Sequence, residues 1–232
     1  MVGAILVLLL RTFGFAILTI PQDGEVPTLI RGDRVLVNRW SYGLRRPFAR
    51  WGGYHRYFKS NMPTNGDWIA FNNPAVERGA LPDTSELYVG RVLASPGDTI
   101  WMGQQGRVSC CRDYARGCIW PLMIPAEGSH VCISPWVSDL YMLTIKRFEP
   151  NKPSMMDDSL QTNTLQNVFY QFHHNYYWVI SGDDSNFFDS RTFGFVPEEF
   201  ILGRVETVLY SLNASQPWNH CLRRDRIFIP VR

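Results

Sequence analysis

The chain has 232 residues, 45% of them apolar, enough for one large or two small domains with a sizeable core. A net charge of +2 and the lack of any basic tract interleaved with aromatics exclude an electrostatic footprint for nucleic acid, so no nucleic-acid partner is expected. Eight Trp, ten Tyr and fourteen Phe favour cross-strand packing and a mainly β chain over a helical bundle, and the same aromatics suit a membrane interface.

Residues 1–10, MVGAILVLLL, are apolar and uncharged. As a helix they would span only ~15 Å of a hydrocarbon layer ~30 Å thick. Extending the helix to Ile20 supplies the length but puts Arg11 near the middle, at a cost of ~2.5–3.5 kcal/mol. A secretory signal peptide is a poor fit, because there is no basic leader and no small-x-small cleavage site. The segment 1–11 is expected to be the end of a membrane anchor, followed by a first strand around residues 12–20. A buried N-terminal strand in a soluble protein is the alternative.

Residues 20–43 read IPQDGEVPTLIRGDRVLVNRWSYG. Pro27 fixes its own φ and biases Val26 towards extended backbone, so the residues before it should form a strand-like ledge able to hold a peptide. The run from Arg34 to Asn38 is β-branched and strand-forming. Residues 42–65, rich in Arg, aromatics and Gly, are expected to be a surface loop suited to a membrane interface. A turn at Gly66-Asp67 then opens a buried strand, WIAF, closed by Asn72-Asn73-Pro74. Residues 87–100, LYVGRVLASPGDTI, signal strand, turn, strand through Pro96-Gly97-Asp98. Gly90 inside that strand weakens it and needs another reason to be there.

Between residues 101 and 179 the chain reads as a β-rich insert, with strand-forming stretches at 134–148 and 168–179 and a polar loop at 149–167. Cys110, Cys111, Cys118, Cys132 and Cys221 lack a paired metal-ligand spacing, and an odd number leaves at least one thiol unpaired. One or two disulfides in this cluster are plausible outside the cytoplasm. His173-His174 has no carboxylate or cysteine at useful spacing, so these histidines read as solvated or packed; neither a metal nor a cofactor is expected. Residues 181–204, SGDDSNFFDSRTFGFVPEEFILGR, carry Asp189, Ser190 and Arg191, a group suited to clamping a loop through a bidentate contact.

Four of these stretches together resemble the type I signal peptidases, the bacterial leader peptidases of serine peptidase family S26. Ile20-Pro21, Pro27-Thr28-Leu29, Gly32-Asp33, Val37-Asn38 and Tyr42-Gly43 match in register a family stretch that reads roughly IPSxSMxPTLxxGDxxxVNKxxYG. The strand opened by Gly66-Asp67 resembles the family's GDIVVF, and Tyr88, Arg91, Val92 and Pro96-Gly97-Asp98 fit YxKRVxxxPGD. Gly182-Asp183, Asn186, Asp189-Ser190-Arg191, Gly194, Val196-Pro197 and Gly203 resemble the last motif, with one residue deleted before Asn186. The run 222–228 also looks like the family's closing strand, so the resemblance covers nearly the whole chain.

The resemblance implies a mainly β, signal-peptidase-like complex fold of large antiparallel sheets and a partial barrel. It also implies a core of residues 12–100 and 180–232, an inserted β-rich cap at 101–179 and an N-terminal apolar anchor. In that family a serine attacks the peptide carbonyl, a buried lysine serves as general base, and a backbone N–H and a second serine hydroxyl form the oxyanion hole; a lysine does this near neutral pH only when desolvation lowers its pKa. Carried onto this chain, the nucleophile position is Gly24, the base Gly90, the oxyanion hydroxyl Gln22 and the base-orienting hydroxyl Phe187. Losing a nucleophile costs a serine protease about six orders of magnitude in kcat, or ~8 kcal/mol. No spare lysine falls in the motif strands, since Lys59, Lys146 and Lys152 lie in loops or the insert. Asp23 and Glu25, flanking Gly24, could share one face of an extended chain, yet a carboxylate pair needs a tuned, desolvated site, and a solvated turn is the expected reading.

These residues therefore suggest a catalytically inactive signal peptidase homologue, tethered to the bacterial membrane with its β domain on the extracytoplasmic face. A groove of Ile20, Pro21, Asp23, Glu25, Pro27 and Tyr88 would bind an exported or signal-peptide-bearing polypeptide by strand addition, with membrane lipid and an active signal peptidase paralogue as further partners. The alternatives are an active signal peptidase with non-standard catalytic residues and a β scaffold that binds no peptide.

Overall fold

The computed structural model describes residues 14–20, 28–45, 56–58, 61–74, 87–103, 107–112, 117, 119–150, 168–181, 189–213, 216 and 221–231. The chain divides into two compact units, one of Met1–Val92, Ile180–Asp189 and Glu199–Arg232, the other of Leu93–Val179 and Ser190–Glu198.

The first unit is built on one long strand, β14 (Ile201–Leu212). On one side it pairs antiparallel with β2 (Asp33–Asn38), which in turn carries β1 (Phe15–Thr19). On the other side lies β5 (Trp68–Asn72), followed by β6 (Leu87–Ala94). The short strands β15 (Leu222–Arg223) and β16 (Ile229–Pro230) pair with the far half of β14. The expected antiparallel, mainly β architecture is therefore present, and the strand expected around 12–20 is β1.

Register explains the core. Ala16 faces Val37 and Leu18 faces Val35 across β1 and β2, while Val37 faces Val205 and Val35 faces Val208 across β2 and β14. These residues join Ile20, Leu29, Trp68, Ala70, Leu202 and Val231 in one apolar cluster. Burying each such side chain fully contributes ~1.5–3 kcal/mol. Along β14 the buried residues Val205, Val208 and Ser211 recur every third position, a spacing that a regular strand with its period of two cannot provide. Two bulges, between Val205 and Thr207 and between Val208 and Tyr210, each add the residue that returns the strand to register.

Residues 42–65 are more than the expected surface loop. They contain a two-residue ladder, β3 (Leu44–Arg45) against β4 (Arg56–Tyr57). Arg56 is buried and donates to the carbonyls of Tyr42 (3.3 Å) and Ile201 (2.7 Å), which ties the segment inward despite its polar composition.

The second unit holds a three-stranded sheet in the order β8 (Val108–Ser109), β7 (Thr99–Met102), β9 (Trp120–Met123). It also contains the pair β10 (His130–Ile133) and β11 (Val168–Gln171), and the pair β12 (Tyr176–Ile180) and β13 (Val196–Pro197). Residues 134–148, expected as strand, are instead a turn at Pro135–Val137 followed by helix α1 (Ser138–Phe148). The β-branched and aromatic content that suggested a strand is arranged with helical spacing, because Tyr141, Thr144, Ile145 and Phe148 are the buried positions. Packing of that face outweighed propensity. The ring contacts Tyr141–Phe172, Tyr141–Phe195, Phe148–Tyr176 and Phe172–Tyr176 lie at centroid distances of 6.1, 5.4, 6.5 and 5.7 Å, so the helix seats on an aromatic core. A second, one-turn helix, α2, spans Ser190–Phe193.

Cys110, Cys111, Cys132 and Cys221 are free thiols, the first three exposed, so none of the expected disulfides joins these four; Cys118 lies outside the described residues.

Candidate functional site

Of the residues singled out in the sequence, Pro21, Gln22, Asp23, Gly24, Glu25, Pro27 and Phe187 lie outside the described residues. Ile20, Tyr88, Gly90, Asp189, Ser190 and Arg191 are described, as is Thr28, which with Ile20 flanks the stretch 21–27.

Gly90 sits in the middle of β6, buried, directly opposite Ile69 of β5. Directly opposed residues of an antiparallel pair share a face, so Gly90 lies with Ile69, and Tyr88 with Phe71, their rings 6.2 Å apart. Leu87 and Val89 take the other face of β6 and pack against the cluster that contains Ile20. Ile20 and Tyr88 are both buried and serve different faces of the sheet. The Gly90 strand is anchored behind its turn. Val92 N–H donates to the Asp67 carbonyl and Gly66 N–H to the Val92 carbonyl, both at 2.8 Å.

Asp67 is the polar centre of this end of the first unit. Its carboxylate accepts from the Tyr42 hydroxyl (3.1 Å) and from the N–H and hydroxyl of Thr64 (3.0 and 3.1 Å), and it lies 3.5 Å from the Arg204 guanidinium. Burial pushes the Tyr42 hydroxyl far above the ordinary phenol range, with the adjacent Asp67 charge adding to the effect, so Tyr42 stays protonated and donates.

Ile20, the last described residue before the stretch 21–27, is tied to the turn before β2. Ile20 donates through its N–H to the Asp33 carbonyl (2.9 Å) and accepts through its own carbonyl from Gly32 N–H (3.0 Å). Gly32 has a φ of +94°, and a side chain there would collide with the Leu212 carbonyl, which explains why only glycine suits the turn. The Asp33 side chain is fully buried. It accepts from Ile30 N–H (3.0 Å) and forms a forked pair with Arg226, Nε to Oδ1 at 3.1 Å and Nη2 to Oδ2 at 2.7 Å. The Gly32-Asp33 motif was visible in the sequence; its partner in the C-terminal segment was not.

Asp189 is fully buried and accepts from the N–H and hydroxyl of Ser181 at 2.8 and 3.0 Å. Ser190, also fully buried, accepts from Val179 N–H at 2.9 Å through its hydroxyl. Arg191 follows on α2, half-buried.

A second polar cluster lies in the other unit and went unrecognised in the sequence. Glu149, whose side chain is completely buried, caps α1 and accepts from His173 N–H (3.0 Å) and the Tyr176 hydroxyl (2.7 Å), with His173 Nδ1 at 2.9 Å. The expectation that His173 lacks a carboxylate partner is thereby corrected. Glu149 stands 24 residues away and is brought in only by the docking of α1. The Tyr170 hydroxyl is pushed up to about 12 by burial and by the hydrogen-bonded Glu149 charge. Among the described residues no three His, Cys, Asp or Glu side chains come together as a metal site.

Comparison with known proteins agrees with the motifs. The chain is 25% identical over 253 residues to the signal peptidase I of Buchnera aphidicola subsp. Schizaphis graminum, covering 96% of this chain and 77% of that one. It is 24% identical over 253 residues to that of Buchnera aphidicola subsp. Acyrthosiphon pisum, covering 95% and 76%. With the signal peptidase I of Aquifex aeolicus the identity is 24% over 232 residues, covering 88% and 79%. The model of the family described as signal peptidase, peptidase S26, matches residues 1–210. With the family model matching residues 1–210 and relatives matched over most of their length, this chain belongs to the signal peptidase family, peptidase S26.

Proposed function

We propose that this chain is a catalytically inactive member of its family, tethered to the membrane, that binds exported, signal-peptide-bearing polypeptides and assists secretion or surface assembly, alone or beside an active signal peptidase. The observation that carries the reading is Gly90. It occupies a buried place in β6, the environment in which a lysine would be desolvated enough to act as a base, and it has no side chain to supply. Gly24, Gln22 and Phe187 fall by motif on the other positions where the family uses a hydroxyl. Of the expected groove, Ile20 and Tyr88 are buried on different faces of the sheet and would not line it together. Pro21, Asp23, Glu25 and Pro27 remain as the residues that would hold an extended peptide through main-chain bonds, with Asp189, Ser190 and Arg191 as a structural clamp on their own loop. Residues 1–11 would supply the tether; among the described residues no helix is long and apolar enough to cross a membrane.

A second reading is favoured by the relatives, each named signal peptidase I and matched over most of its length: an active peptidase with non-standard catalytic residues. One experiment separates them. The full chain, in detergent micelles, is incubated with a preprotein and, separately, titrated with a fluorescent peptide carrying a signal-peptide C-region. The expected outcome is saturable peptide binding with no cleavage above background, and recovery of cleavage in the Gly24→Ser, Gly90→Lys double variant. Turnover by the unaltered chain that a single substitution in it abolishes would refute the inactive reading. Neither binding nor cleavage would leave only a structural β scaffold. The tether is tested by alkaline extraction of membranes from expressing cells: the full chain should stay in the pellet and a chain lacking residues 1–11 should be released.

A further inference from the structure

We infer that Arg226 is a positioning residue for peptide binding, fixing the turn of residues 28–33 on which Ile20 closes. The inference rests on the peptide-binding reading above. It is drawn from described residues alone, and from a segment that lies beyond the residues 1–210 matched by the family model.

Arg226 makes three contacts with one turn. Its Nε and Nη2 fork onto the two carboxylate oxygens of Asp33, and Nη2 also donates to the Thr28 carbonyl at 2.8 Å. Thr28 is the first described residue after the stretch 21–27. Ile20, the last before it, exchanges two backbone bonds with Gly32 and Asp33. Ile20 therefore closes on Gly32 and Asp33, and Thr28 on the guanidinium that grips Asp33. Arg223 adds a second tie, donating from Nη1 to the Arg31 carbonyl (2.8 Å) and to the Ser211 hydroxyl (2.9 Å). The Arg226 side chain is 12% exposed and Asp33 is fully buried, so water does not compete for the pair.

The physical consequence is local. A guanidinium fork fixes direction as well as charge, which a lysine ammonium cannot do. Asp33 also caps the turn through Ile30 N–H, so loosening Arg226 frees the carboxylate to rotate and with it the Thr28 and Ile20 attachments. The apolar cluster of Val35, Val37, Val205 and Val208 is held by packing that this change does not touch. A peptide bound beside a turn 28–33 that samples more conformations would have to order it, and that cost would appear as weaker binding.

The test compares the full chain with Arg226→Lys, which keeps the charge inside the pocket, with Arg226→Ala, and with Arg224→Ala at an exposed neighbouring site as control. Amide hydrogen exchange is followed at Ile20, Ile30 and Gly32 and at the core amides of Val35, Val37 and Val205, and the fluorescent signal-peptide C-region is titrated against each variant. Arg226→Lys should exchange about tenfold faster at the three turn amides and bind the peptide about tenfold more weakly, with core protection unchanged and Arg224→Ala equal to the unaltered chain. Arg226→Ala removes the cation of the pair from beside a buried carboxylate and is expected to go further in both readouts or to unfold. Unchanged binding by Arg226→Lys overturns the inference while leaving the peptide-binding reading in place, as does a loss of protection spread evenly over the core. If the unaltered chain binds no peptide, the reading itself falls and the positioning role with it, whatever the exchange at the turn shows.

Discussion

At the scale of single residues, two glycines with nearly the same backbone conformation predict opposite sensitivities. Gly32 (φ +94°) leaves no room for a methyl group beside the Leu212 carbonyl, whereas at Gly97 (φ +91°) a methyl group would meet nothing within 4 Å. Gly32→Ala should therefore cost about 3 kcal/mol or more, backbone strain plus a clash with main chain, and Gly97→Ala only the ~1–2 kcal/mol of a left-handed alanine. Urea unfolding of the two variants checks the difference. Glu149 offers a second contrast. Its carboxylate is buried with His173 and Tyr176 as donors, so Glu149→Gln, which replaces an acceptor by a donor, should lose ~1–3 kcal/mol, and Tyr176→Phe, which removes one hydroxyl, ~1 kcal/mol. Equal losses in the two would mean that the charge of Glu149 contributes nothing.

At the scale of elements, α1 was hidden by its composition. Residues 138–148 read SDLYMLTIKRF, in which Tyr, Thr, Ile and Phe speak for strand. The same residues place Tyr141, Thr144, Ile145 and Phe148 on one helical face, and the aromatic core decides between the two periods. Ile145→Ala should cost ~2–4 kcal/mol in thermal or urea unfolding, while Asp139→Ala on the exposed side should stay within ~0.5 kcal/mol. Only residues 201–204 of β14 fell within the last motif, and no strand was expected there. Its two bulges were not legible either, because a bulge is defined by the register of a partner strand, here β2, which lies far earlier in the chain.

At the scale of the whole molecule, the perturbed tyrosines give an alkaline signature. Tyr170 titrates near 12 in the folded chain against 10.0 when free, and burial shifts Tyr42 and Tyr141 upward as well. A raised folded-state pKa favours the protonated phenol, so the stability these groups contribute is fully present below pH 10 and is lost as pH rises from 10 towards 12. Unfolding midpoints measured from about pH 8 to about pH 11.5 should fall steeply above about 10, and less steeply in Tyr170→Phe.

Residue order by itself determined the punctuation of the chain and the residue types that stand at the motif positions. Gly32-Asp33, Gly66-Asp67 and Pro96-Gly97-Asp98 mark where strands begin and end because their backbone preferences are local. That the positions 24 and 90 are glycine needs no fold to be read. Tertiary structure alone decided the helix at 138–148, the bulges of β14, the Glu149–His173 pair and the Arg226–Asp33 fork. The two members of that fork stand 193 residues apart, and nothing near either one announces the other. Local preference is worth a fraction of a kcal/mol per residue, whereas burying a large apolar side chain contributes ~1.5–3 kcal/mol and leaving one member of a buried ion pair without its partner costs ~3–5 kcal/mol, so long-range partners settle whatever the local signal leaves undecided.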